Sequence, residues 1–115
     1  MAFEEYSDSY YQYLNLMAKP FIAMFSAHWC GPCHKLKPII KQLCLEYPNI
    51  NVVYVDIDKF GYVADKYNIE SLPTLVLIKD DKMLDSIVSS NPHDVQTFFV
   101  KASSASSASA FASSS

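Results

Sequence analysis

The chain has 115 residues, half of them hydrophobic and 14% aromatic, which suits one domain with a buried core and excludes disorder for its main body. A formal charge of −3 with no run of Lys and Arg argues against a nucleic-acid surface. Three cysteines are too few, and odd in number, for a disulfide-stapled secreted scaffold. The opening MAFEEYSDSYYQ is acidic where a secretory signal is basic and then apolar, and the most apolar stretch, Leu14 to Phe25, is too short to span a bilayer. The expectation is a cytoplasmic protein that does not contact a membrane.

In chain order, Phe3, Tyr6, Tyr10, Tyr13, Leu14 and Met17 recur at steps of three and four, which predicts a first helix ending before Lys19-Pro20. FIAMFSA, NVVYVDI and TLVLI are nearly continuous apolar runs, the pattern of strands buried on both faces of a sheet. Between the first two lies a long helix with Leu36, Ile39, Ile40, Leu43 and Tyr47 on one face and Lys37, Lys41 and Glu46 turned away. This is a βαβ unit. A shorter helix follows from about Phe60 to Tyr67, ended by Asn68 in the left-handed conformation. LIKDDKMLDSIV predicts an edge hairpin with a polar turn. Pro92 opens a last helix with Val95, Phe98 and Phe99 facing inward. From Ala102 the segment ASSASSASAFASSS holds eight Ser and five Ala without charge. Its composition predicts a flexible tail over 102–115 beyond a domain at 1–101. The whole reads as a small α/β sandwich with a mixed sheet.

The stretch His28-Trp29-Cys30-Gly31-Pro32-Cys33-His34 sits where a buried strand hands over to a helix, and its residue types fit four chemistries. Structural zinc needs four ligands, and no second C-x-x-C or H-x-x-x-H follows; Cys44 and His93 are isolated. The literal C-x-x-C-H haem pattern is attached after export, and a small solid core leaves no room for a porphyrin. A structural disulfide belongs to exported chains. Redox chemistry is the reading that remains, with no metal and no cofactor expected. A helix N-terminus favours a negative sulfur at Cys30, the nucleophilic form, while Cys33 lies one turn further in, more buried, placed to resolve a mixed disulfide. Gly31 is expected to permit a tight turn and Pro32 to stiffen the first helical turn.

With W-C-G-P-C between strand and helix, Pro38 beyond it, VVYVDID after that and ADKYNIESLPTLVLIKD with Leu72-Pro73-Thr74, the chain resembles the thioredoxin family from about Phe3 to Lys101. The resemblance implies the thioredoxin fold, a central mixed β-sheet flanked by helices on both faces. It implies a thiol–disulfide oxidoreductase that reduces protein disulfides through a Cys30–Cys33 couple, Cys30 attacking and Cys33 resolving. Pro73 becomes a cis-proline facing the cysteine pair, with the Leu72 backbone pairing with substrate and Trp29, Gly31 and Pro32 forming the docking rim. The partners implied are disulfide-containing protein substrates and a thioredoxin reductase or equivalent electron donor, acting on a monomer. The alternative is a thioredoxin-fold binding or chaperone module with weak or no turnover.

Two departures from the family pattern stand out. Met24 occupies the position of a usual buried Asp, and Tyr54 that of an accompanying Lys, so slower exchange or a shifted pH optimum is expected. His34 replaces the common Lys or Arg. Cys44 reads as a small hydrophobe, His28 as a solvated neighbour of the motif, Asp56 and Asp58 as carboxylates solvating a strand end, and His93 as partnerless.

Overall fold

The computed structural model describes residues 3–17 and 19–112, with side chains described as far as Ala105. Strands β1 (Phe3–Glu5), β2 (Phe21–Ser26), β3 (Val52–Asp56), β4 (Thr74–Lys79) and β5 (Lys82–Val88) form one sheet in the order β1-β3-β2-β4-β5. Both β1 and β2 pair parallel with β3, while β4 runs antiparallel to β2 and to β5. Helices α1 (Asp8–Leu16), α2 (Gly31–Glu46), α3 (Gly61–Lys66) and α4 (Pro92–Ala112) cover it. This is the expected mixed α/β sandwich.

Alternation along the central strands divides the core in two. Ile22 and Met24 of β2, Val52 and Tyr54 of β3, and Leu75 and Leu77 of β4 face Leu36, Ile40 and Leu43 of α2 and Val95, Phe98 and Phe99 of α4. The intervening Ala23, Phe25, Val53, Val55, Val76 and Ile78 pack with Leu14 of α1 and Val63 and Ala64 of α3. Successive strand side chains point to opposite faces, so helices on both sides bury every residue of β2. Each large aliphatic or aromatic chain fully removed from water contributes about 1.5–3 kcal/mol.

The chain starts differently from its apolar period. Phe3–Glu5 is a strand, and the Tyr6 amide continues its pairing by donating to the Tyr54 carbonyl at 2.8 Å. Ser7 then caps α1, its Oγ accepting from the Tyr10 amide at 3.2 Å. The buried face of α1 is Tyr11 and Leu14, whereas Tyr13 is 56% exposed. The three-and-four spacing from Phe3 therefore ran a strand and a helix together, and only Leu14 of that stripe is a buried helical residue.

At the other end, the change in composition at Ala102 is not the end of a helix. α4 continues through Ala112, and Ala102 is buried in the cluster of Val95, Phe98 and Phe99, with Ala105 packed against it. Positions 95, 98, 102 and 105 keep one helical face, and alanine is the strongest helix former. The predicted tail thus contributes its first residue to the core; residues 113–115 lie outside the described part.

The hairpin turn is Asp80-Asp81, with φ of 52° and 63°, the two left-handed positions of a tight two-residue turn. Asp81 ties this turn to two helices. Its amide donates to Asn15 Oδ1 at 2.8 Å, and its carboxylate accepts from the Tyr11 hydroxyl at 3.0 Å and from Lys66. The Lys66 hydrogen bond foremost holds the Asp81 carboxyl below the usual carboxylate range. Burial pushes the Tyr11 hydroxyl well above the ordinary phenol value, so it stays a donor. A carboxyl held low stabilises the fold above the unfolded-state value and loses that contribution as pH falls through the folded one. Asp81→Asn, which keeps the left-handed turn, is accordingly expected to lower stability by about 0.5–1 kcal/mol near neutral pH. In urea melts the gap should close below about pH 4, where the parental carboxyl gains its proton.

Candidate functional site

β2 ends at Ser26, and Ala27 to Cys30 carry the chain into α2. The Ile57 amide donates to the Ser26 carbonyl at 2.9 Å, holding the loop after β3 beside this junction. Cys30 is the N-cap of α2: its backbone is extended (φ −86°, ψ 101°), and its Sγ accepts from the Cys33 amide at 3.3 Å. A sulfur here takes one of the amides that the first turn leaves without a carbonyl. Cys30 and Cys33 are joined as a disulfide across a Cα–Cα distance of 5.3 Å.

The two sulfur-bearing residues differ in access. Cys33 is fully buried under the first turn, whereas Cys30 lines an open groove of about 540 Å³. Trp29, 67% exposed, forms one wall with Gly31 and Pro32; Ile57, Ile69, Glu70, Ser71 and Leu72 form the other. Pro73 follows Leu72 through a cis peptide bond, is buried, and does not itself line the groove. Gly31 shows no positive φ, and a Cβ there would meet nothing within 4 Å. No tight turn requires glycine at this position, which corrects the expectation; the first helical residue simply leaves the groove mouth open. Pro32 stands in the first turn, where its missing amide costs no hydrogen bond.

Ile57, Ile69, Glu70 and Ser71 were not singled out in the sequence. The last three are aimed by the end of α3. Asn68, with φ 54°, turns the chain left-handed; its amide donates to Asp65 O at 3.2 Å and the Ile69 amide to Ala64 O at 3.0 Å. This paired closure of the last helical carbonyls swings Ile69 to Ser71 across toward Cys30. The Asn68 stop signal was legible; that the loop beyond it faces the cysteines was not.

Beneath the pair, Met24 is fully buried, paired in register with Tyr54 and Leu75. Tyr54 donates its hydroxyl to Ser26 Oγ at 2.8 Å, and Lys37 Nζ lies 4.4 Å from the Tyr54 ring centre. No carboxylate stands at either position. His34 donates from Nε2 to the His28 carbonyl at 2.6 Å, and the two rings lie 6.1 Å apart. The histidines thus bracket the motif through one hydrogen bond, and both are exposed. Among the described residues no group of three or more His, Cys, Asp or Glu is placed to hold a metal ion. No described helix is long and apolar enough to cross a membrane.

The remaining candidates fall elsewhere. His93 sits at the start of α4, its amide donating to Asn91 Oδ1 at 2.8 Å. Asp56 closes the turn after β3 by accepting from the Asp58 amide at 2.9 Å. Cys44 is buried on the inner face of α2, where burial pushes its thiol up to about 11.

The Thioredoxin family model matches residues 2–102. A rice H-type thioredoxin is 38% identical over 82% of this chain and 77% of its own length. Thioredoxin-2 of the fungus Pyricularia oryzae is 42% identical over 63% of this chain, which spans 42% of that longer protein. Reduced Schistosoma mansoni thioredoxin pre-protein superposes with a TM-score of 0.79 at 30% identity, covering 88% of this chain and 98% of that one. Deadhead, the germline thioredoxin of Drosophila, gives 0.77 at 27%, covering 88% and 98%.

The raised Cys44 thiol makes a direct prediction. In fully reduced, folded protein at pH 8 its thiolate fraction is on the order of one in a thousand. Iodoacetamide followed by peptide mapping should leave Cys44 unlabelled until denaturant is added.

Proposed function

Because this chain belongs to the thioredoxin family and is a thiol–disulfide oxidoreductase, we propose that it reduces protein disulfides with Cys30 as the attacking sulfur and Cys33 as the resolving one. The observation that carries this assignment is the difference in access: Cys30 lines the groove and Cys33 does not.

In the reduced state the Cys30 thiolate, favoured by the α2 N-terminus, attacks one sulfur of the substrate disulfide. The other substrate sulfur leaves as a thiolate, which takes a proton from water. Cys33 then gives up its proton and attacks Cys30 Sγ, forming the Cys30–Cys33 disulfide and releasing the second substrate thiol. Two electrons pass from the dithiol to the substrate. The closed disulfide with its N-cap hydrogen bond is the product state, and a thioredoxin reductase or an equivalent dithiol donor restores the pair. Trp29, Gly31, Pro32 and Leu72 form the docking rim. Pro73 fixes the course of the Leu72 backbone, which pairs with an extended segment of the substrate. A shallow groove of this kind suits protein substrates. The chain works as a cytoplasmic monomer.

Reduction of insulin with dithiothreitol as electron source tests the assignment. Cys30→Ser should abolish the stimulated rate; Cys33→Ser should stop turnover while trapping substrate as a mixed disulfide on Cys30. Turnover that survives both substitutions would refute the Cys30–Cys33 assignment, and its absence in the parent would leave the binding-module alternative in possession.

Met24 supplies a second test. A carboxyl placed there is fully buried, and burial raises its pKa. Met24→Asp is expected to add a titration to the rate–pH profile of the resolving step; an unchanged profile would show that this position does not govern proton loss from Cys33. The same variant should be less stable by roughly 2–4 kcal/mol. Since a raised carboxyl binds its proton more tightly when folded, that loss should deepen as pH rises above the ordinary carboxylate range.

A further inference from the structure

The groove at Cys30 does not end at the loop before Pro73. Ile69, Glu70 and Ser71 form a wall shared with a second recess of about 320 Å³, lined also by Asn68, Thr74, Met83 and Val88. Together they make a track from the cysteine motif across the β4–β5 edge. Its lining is apolar or neutral except at one point, Glu70. That carboxylate is exposed and takes part in no hydrogen bond or ion pair among the described residues. Lys66, four residues earlier, is engaged with Asp81. Lys59 lines a separate recess with Glu5, Tyr6 and Asp56. The Asn68 closure of α3 fixes where the Glu70 backbone lies.

We infer that Glu70 is a specificity-determining residue, favouring substrate segments that carry a Lys or Arg close to the disulfide they present to Cys30. The inference rests on the substrate groove proposed above. A strand laid along the track must pass this one unpaired negative charge. A basic side chain gains an ion pair there, while an acidic one meets repulsion. Exposed pairs of this kind change affinity by a factor of about two to five, and more at low salt. The opposing effects on basic and acidic segments multiply, so the ratio between them exceeds either alone.

The test uses two disulfide-bonded peptides identical except for Lys or Glu two residues from the attacked cysteine. The reduced full chain is assayed for kcat/KM on each, at low and at high salt. The parent is expected to prefer the Lys peptide by about four- to tenfold at low salt, with the ratio falling toward one as salt rises. Glu70→Gln should bring the low-salt ratio near one, and Glu70→Lys should invert it. A parental ratio of one, or a preference that Glu70→Lys leaves unchanged, overturns the inference while leaving the oxidoreductase reading in place. Failure of the parent to reduce either peptide overturns both.

Discussion

The organisation of this protein depends on one junction: a strand that must be buried on both faces ends where a helix begins, and a cysteine occupies the cap. Burial of all of β2 commits helices to both sides of the sheet. The next helix starts only four residues later, after Ala27 to Cys30, so its unpaired amides lie at the sheet's end. Cys30 Sγ takes one of them. The same turn that satisfies the helix therefore sets one cysteine, 6% exposed, at the groove and shuts the other away completely. Helix capping, normally worth about 1 kcal/mol to stability, is used here to set chemical inequality between two otherwise identical side chains.

Much of this was legible in the residues. The three apolar runs became β2, β3 and β4: they are short and rich in β-branched and aromatic residues, as strands covered on both faces are. Asn68 marked a helix end because few other residues tolerate a left-handed cap. The hairpin was visible as a polar turn within LIKDDKMLDSIV, and the structure places that turn at Asp80-Asp81 without the glycine that such turns prefer. The start of the chain was misread because aromatic residues at three-residue steps look the same whether they come from a strand, a cap and a helix or from one helix. Ser7, a good cap, was the overlooked signal. At the end of the chain, low complexity masked a helical face of alanines at positions 102 and 105.

The groove was legible only on one side. Trp29 to Pro32 are contiguous and announce themselves, but Ile57, Ile69, Glu70 and Ser71 come from two other loops. They meet the motif because strand order places the end of β3 on one flank of β2 and the start of β4 on the other. No periodicity encodes such convergence. It also explains why the charge that distinguishes this groove sits in a stretch, NIES, whose sequence shows nothing beyond a helix stop and a polar loop.

The inequality of the two sulfurs is measured directly by thiolate absorbance near 240 nm in the reduced protein as pH is raised. The capped position predicts a thiolate that forms at lower pH than the ordinary cysteine range of about 8.5, persists in Cys33→Ser and disappears in Cys30→Ser. A thiolate that forms only in the ordinary range or above it, or that survives the loss of Cys30, would contradict the claim that the α2 N-terminus selects the attacking sulfur.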